Sequence, residues 1–447
     1  MNAYGWRALG ALALLALAAP AAGQIPAARD TVELSLGRAV AIALEENPVV
    51  HQAAFDRSAA GAERWSAYGT LLPQFDLEGQ LQRSSEGSFV LFGSEFITPK
   101  SYSTVYQWNL IHSMLDAGRD LFRIKSARAS VERAIARYDA QELTTTVDVE
   151  EQFLTARREQ ALATQAEREL ERLGEHVRLA DARYEVGAVT KSDVLQANLS
   201  VNQGEVSLLQ ARQRAEEALL ALRSLLGGAL PPGPVELTGD FVVFRPVFEV
   251  DELVNRATEV HPAIQEVRAQ ERIDEAGLWI ARSRYIPSLQ LQYSLSRSVT
   301  DTSGFEFGDF DKRSFAVVSL NWPLFGRFER YAETSRANAT LRRTRAEERR
   351  TTLALEEQVR VAHSRLLTAL AAHEATAASV EFAREDLRLA EARYRTGAGS
   401  FVDLLDARVR ASQAETDLIT ATYDFYLALV ALEQVTGMPL MPEEAIR

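Results

Sequence analysis

The residue types that could carry catalysis are sparse and poorly spaced for it. Six histidines stand at positions 51, 112, 176, 261, 363 and 373. None forms an HExxH pattern, and none falls in the tight His/carboxylate spacing of a zinc site. Neither a G-x-S-x-G elbow nor a P-loop is present. The acid pairs Glu150-Glu151 and Glu356-Glu357 fall in long helical patterns, where neighbouring acids form a solvated face far more often than an acid–base couple. The run LRRTRAEERR (341–350) mixes both signs at helical spacing, which fits a solvated or subunit-bridging face better than a nucleic-acid patch. A formal charge of −13 also argues against nucleic acid, which calls for a basic surface. The chain has no cysteine, which excludes a disulfide scaffold and a lipidated N-terminal cysteine. These residues predict no enzyme, no metal and no cofactor.

Three aspartates stand apart because of where they lie in a repeat. Arg178–Ala197, RLADARYEVGAVTKSDVLQA, aligns without a gap on Arg388–Ala407, RLAEARYRTGAGSFVDLLDA, with 11 of 20 positions identical at an offset of 210. In each copy a helical pattern stops at Gly187 or Gly397, followed by Ala188 or Ala398, and restarts after a Thr or Ser. Asp193 and Asp403 occupy the restart, where an aspartate favours the helix N-terminus. Asp406 lies too far inside its helix to cap it and reads as a solvated residue. The second helix of each copy carries small or apolar residues at alternating steps of three and four, such as Ala197, Gly204, Ala211 and Ala218, or Leu404, Ala411, Leu418 and Phe425. That is a 3.5-residue repeat, and it predicts two antiparallel coiled-coil hairpins.

These hairpins need elements to hold them. Residues 1–23, with a lone Arg7, an apolar run and small residues at the end, predict a secretory signal peptide cut between 21 and 24. The repeat then extends upstream at an offset of 214: Asn47-Pro48 matches His261-Pro262, Pro73 matches Pro287, and GQLQRS (79–84) matches YSLSRS (293–298). The expected organisation is a first repeat at 24–228 and a linker rich in Gly and Pro at 229–248. A second repeat at 249–437 and a short tail at 438–447 complete it. Within each repeat the period changes from 3.5 to 2, which predicts strands near 74–84, 101–111, 288–299 and 313–324. Polar, Gly-containing loops are expected between partners. Strands of about ten residues suit a tilted bilayer crossing, although a half-buried sheet on a soluble domain has the same pattern. Four strands cannot close a barrel, and an open edge cannot face lipid, so a membrane reading requires several chains to pool their strands. The proline-free stretches 118–184 and 326–394 predict rods of ~100 Å.

Signal peptide, duplicated helix–hairpin–helix halves and the repeated ARYxxGAxxxxDxLxA tip together resemble the TolC-like outer membrane efflux protein family, over nearly the whole mature chain. The resemblance implies a mainly α fold with a transmembrane β-barrel portion. It implies a homotrimer whose four strands per chain make one twelve-stranded barrel in outer membrane lipid, with coiled-coil hairpins forming a periplasmic α-barrel. It implies an exit duct that docks on a periplasmic adaptor protein and an inner-membrane pump. By the same resemblance Asp403 and Asp406 ring the tunnel entrance, and Asp193 latches to Tyr394. Gly187, Ala188, Gly397 and Ala398 would face the adaptor. The family's second latch uses an arginine where this chain has Gly399. The alternative is a periplasmic coiled-coil scaffold without a pore, which would stay soluble without detergent.

Overall fold

The computed structural model describes residues 32–442 apart from 117, 231, 232 and 234; the expected signal peptide lies outside the described residues. The chain makes two passes through the same series of helices. Helices α1 (Leu36–Glu46) and α5 (Val250–Val260) each have 11 residues, and α2 (Pro48–Gly69) and α6 (Pro262–Ser283) each have 22. The break between them has one cause in both passes. A residue before proline is pushed out of the helical region, so Asn47 and His261 are extended (ψ 123 and 132), and Pro48 and Pro262 take the first helical turn, where no N–H is needed. The side chains of Asn47 and His261 then accept from the backbone N–H of Val49 and Ala263.

The long helices α3 (Arg119–Glu185) and α7 (Glu329–Arg395) each run 67 residues without interruption. They fold back as α4 (Lys191–Leu225) and α8 (Phe401–Thr436). Antiparallel pairs α3/α4 and α7/α8 pack along their seams, and α3 also packs on α6, α2 and α8, which joins the two hairpins. At Gly204 α4 leaves room for α3 side chains; a Cβ there would sit 2.6 Å from Leu173 Cδ1.

Between the helices lie the strands. β2 (Gln74–Ser84), β5 (Ser101–Leu115), β7 (Ser288–Asp301) and β8 (Asp311–Asn321) form one antiparallel sheet in the order β2-β5-β7-β8. The centre of the sheet is the pairing of β5 with β7, which joins the two halves of the chain. Register carries one apolar face across all four strands: Leu77, Trp108, Leu295 and Ser314 form one row, and Phe75, Leu110, Tyr293 and Ala316 the next. The other face presents Asp76, Glu78, Gln80, Asn109, Gln107, Gln292 and Ser296. Val105, Ile111, Phe315 and Val317 are apolar exceptions on it.

Three details differ from expectation. The segment after β2 is not a plain loop but a hairpin, β3 (Gly87–Leu91) with β4 (Ser94–Thr98), turning at Phe92-Gly93 with φ of 49° and 83°. Both turn residues at positive φ match the twist of a two-residue hairpin. β8 starts at Asp311 and stops at Asn321, leaving Trp322 outside, because Pro323 has no N–H to extend the ladder. A short parallel pair, β1 (Val32–Leu34) with β6 (Val235–Leu237), ties the start of the first half to the segment that follows α4.

The main core sits midway along the rods. It gathers Leu36, Ala39 and Ala43 of α1, Val149, Phe153 and Leu154 of α3, Val359 and Leu366 of α7, and Phe425, Tyr426 and Leu429 of α8. Each large side chain buried here is worth ~1.5–3 kcal/mol. The segment after β6 wraps over it: Phe241 packs on Phe153, Tyr423 and Tyr426, while the Tyr426 hydroxyl donates to the Val242 carbonyl at 2.7 Å. The acid pair at 150–151 corrects an expectation. Glu150 is only 9% exposed, facing Glu433 of α8 instead of water, because α3 packs against α8 at this level.

Candidate functional site

Both hairpin tips are built by the same two devices. α3 ends in a Schellman motif: Gly187 N–H donates to the Tyr184 carbonyl at 2.9 Å and Ala188 N–H to the Arg183 carbonyl at 2.8 Å. α7 repeats it, with Gly397 to Tyr394 at 3.1 Å and Ala398 to Arg393 at 2.9 Å. Gly187 and Gly397 hold φ of 74° and 78°, where a side chain would strain the turn. Each next helix then opens with a capping box. Asp193 N–H donates to Thr190 Oγ1 at 3.3 Å and the Asp193 carboxylate accepts from Thr190 N–H at 2.9 Å. Ser400 and Asp403 do the same at 3.1 and 3.2 Å. The two aspartates are the third helical residues of their boxes, while Thr190 and Ser400 are the caps. The hydrogen bonds from Ser400 hold the Asp403 carboxyl below the usual carboxylate range. Asp406 lies one turn further along α8 and is exposed.

The two tips pack on each other within one chain. Tyr394, Phe401 and Leu404 of the second hairpin bury against Ala180 and Ala197 of the first, with Tyr394 4% exposed and its ring 5.8 Å from that of Phe401. Tyr394 and Asp193 are close enough for the carboxylate to act on the phenol. Burial pushes the Tyr394 hydroxyl up most, Arg183 opposes this, and Asp193 adds to it. No hydrogen bond joins the pair; the enclosed Tyr394 hydroxyl has no partner of good geometry.

Arg183 was not singled out by sequence, and it makes the principal tie between the tips. Its guanidinium lies over the Tyr394 ring at 4.4 Å and donates to the Tyr394 carbonyl. The one available signal was its place in the repeated ARYxxG motif, where Arg393 is its counterpart. Gly399, where the family resemblance sets an arginine, lies tight against the end of α7. A Cβ there would lie 3.0 Å from Arg393 Cβ and 3.3 Å from the Tyr394 backbone nitrogen. Above the tips, Arg408 (5% exposed) donates to Glu169 at 2.9 Å, and Glu415 accepts from Arg172 and Arg384, crossing from one hairpin to the other. His176, between these cations, is pushed down to about 4, first by burial and then by Arg408 and Arg395, so it stays neutral.

The sheet is the second functional element. β2 and β8 are its two edges, and every residue in each eleven-residue strand is exposed.

The comparisons decide the family. The model for "Outer membrane efflux protein" matches residues 39–228 and 253–438, which is most of the chain in two segments. The chain belongs to the outer membrane efflux protein family. Vibrio cholerae outer membrane protein TolC is 22% identical over 409 residues, covering 88% of this chain and 89% of TolC. Pseudomonas aeruginosa OprJ is 27% identical over 274 residues, 58% of this chain and 54% of OprJ. Among solved structures, the outer-membrane channel OprN superposes with a TM-score of 0.76 over 91% of each chain, at 21% identity. Campylobacter jejuni CmeC superposes with a TM-score of 0.75 over 90% of this chain and 85% of its own, at 18% identity. At such identities the structures show a shared fold. Family membership makes this chain an efflux channel protein of the outer membrane and decides between duct and pore-less scaffold in favour of the duct.

Proposed function

We propose that three copies of this chain form a gated exit duct, with one twelve-stranded barrel in the outer membrane and a helical tunnel in the periplasm. The observation that carries the reading is the open sheet. β2 and β8 expose eleven residues each at free edges, and free edges cannot face hydrocarbon because their amides and carbonyls would be unpaired. Pairing β8 of one chain with β2 of the next removes every edge when the ring closes. The continuous apolar face would then meet lipid, and the face rich in Gln, Ser and Asn would line the lumen, the alternation expected of a membrane barrel. Three chains follow from the family resemblance.

The periplasmic end would be the gate. Exposed Asp403 and Asp406 from three chains would crowd carboxylates at one constriction and focus a cation-attracting field. Tyr394 with Asp193 would form the latch, and Arg183 fastens the same place. Gly187, Ala188, Gly397 and Ala398 would meet an adaptor protein, which in turn couples the duct to an inner-membrane pump. The duct itself is passive.

The test is single-channel recording on the detergent-extracted trimer with Asp403→Asn and Asp406→Asn, replacements that keep a capping oxygen at 403. Conductance should rise and block by divalent cations should weaken. Unaltered conductance and block would remove these residues from the gate, and a mass matching two chains would overturn the twelve-stranded barrel.

A further inference from the structure

The apolar face of the sheet does not stay apolar to its far end. Arg297 of β7 and Lys312 of β8 are direct cross-strand partners on that face, in the row that also holds Tyr106 of β5. Two like charges placed opposite each other repel, and both are exposed. Neither Arg297 nor Lys312 makes a salt bridge with a carboxylate among the described residues. The nearest acid on the same face, Asp301, spends its carboxylate on the backbone and hydroxyl of Ser303.

Aromatic groups frame the pair. The Arg297 guanidinium lies 5.7 Å from the centre of the Trp108 ring, and Phe310 closes edge-on against Tyr106 at 5.5 Å. Arg83, the counterpart of Arg297 in the first half, sits on the same face with its guanidinium 5.8 Å from the Tyr102 ring.

Height on the barrel identifies the occupant. From Leu289 to Arg297 is eight steps along β7, ~27 Å of strand and ~20 Å of height after tilt, close to the top of a ~25 Å apolar band. Leu291, Tyr293 and Leu295 fill the steps between. A pair of unneutralised cations at the rim, flanked by rings and continuous with a lipid-facing surface, complements a phosphate carried by a lipid. Phosphate oxygens take charge-assisted bonds from both groups and cancel their repulsion.

We propose that Arg297 and Lys312 form a binding site for a phosphate-bearing lipid headgroup of the outer leaflet. The site rests on the barrel reading given above.

The test uses the full-length protein in detergent with bisphosphorylated lipid A, the same lipid stripped of phosphate, and inorganic phosphate, with bound lipid counted by native mass spectrometry. Wild type should retain lipid A about tenfold better than Arg297→Gln/Lys312→Gln, a loss fitting two charge-assisted contacts. Each single variant should lose severalfold, which keeps the test open if the double variant does not fold. Arg313→Gln removes a charge one residue away on the lumen face and should bind as wild type does. Phosphate-free lipid should be held weakly by all. Equal retention by wild type and the double variant, equal binding of phosphate-free lipid, or displacement by inorganic phosphate would each overturn the site. If retention is equal while conductance is normal, only the site fails; a wild-type protein that never conducts fails the duct as well.

Discussion

Raising the pH from about 6 to about 9 should loosen the middle of the helical part, and Glu150→Gln should abolish that response. Glu150 of α3 is buried against Glu433 of α8, and Glu433 already accepts the backbone N–H groups of Leu440 and Met441 where the tail folds over the end of α8. The charged groups acting on Glu150 are Glu433 and, from its own helix, Glu151; among the described residues no cation offsets them. Burial first, and the Glu433 carboxylate second, push the Glu150 carboxyl up to about 8. In the unfolded chain it ionises near 4.5, so between these values the folded form binds more protons. Stability therefore falls as pH rises through this window, by ~1.36 kcal/mol per pH unit. Across the part tested, from pH 6 to about 8, the loss is roughly 2–3 kcal/mol, a sizeable share of the ~5–15 kcal/mol typical of a domain. Ordinary carboxylates are fully ionised above about pH 6 and do not contribute there. Glutamine stays neutral and still donates to Glu433. The assay is helical circular dichroism on heating, in detergent, at several pH values. A Glu150→Gln protein with the same pH slope as wild type would refute the reasoning, as would a wild type that is flat from 6 to 9.

Other substitutions probe the tips and the junctions. Arg183→Ala should free the second tip by ~1–3 kcal/mol, the scale of a charge-assisted bond with a ring contact; hydrogen exchange at 395–402 should rise, and unchanged protection would refute the tie. Gly399→Ala should drive a Cβ to within 3.0 Å of Arg393 Cβ and cost ~1–3 kcal/mol, read as a lower melting temperature and greater leak. Gly227→Ala should be worse, because φ is +65° and the new Cβ would lie 2.5 Å from the Glu46 carbonyl oxygen, breaking the seat of α1 on the end of α4; an unaltered melting temperature would contradict this. Tyr426→Phe should strand the Val242 carbonyl and cost ~1 kcal/mol, with protease cutting at 241–248 as the readout.

What could be read from sequence was local and periodic. Alternation along Gln74–Gln82 marks β2, and the repeated ARYxxGA stretch marks both tips, because each signal lies within one element. The β3–β4 hairpin was missed because Phe92-Gly93 is not a usual two-residue turn and its flanks do not alternate. β1 and β6 are three residues each, too short for any period. Arg183 and Tyr394 meet across 211 residues, so no spacing rule could pair them. Glu150 reads as a solvated acid in the sequence because charge alone does not reveal that a second rod will cover it. The closeness of Gly399 to Arg393 likewise depends on the tightness of a turn, which composition does not carry.

The uninterrupted length of α3 and α7 makes each of them a lever. Among the described residues both are clamped at mid-length, around Phe153 and Val359, by the larger of two cores, whereas the tip core holds five buried residues. From Phe153 to the end of α3 is ~50 Å, so a pivot of about 5° at the clamp swings the tip by ~4 Å with no helix bent or unwound. Such a swing is wider than the bond it would break at Arg183. If the tips gate the duct as proposed, an aperture worked this way would need neither a hinge residue nor a melted segment, and the work of opening would fall on a few tip contacts while the clamp that keeps the rods assembled stayed intact.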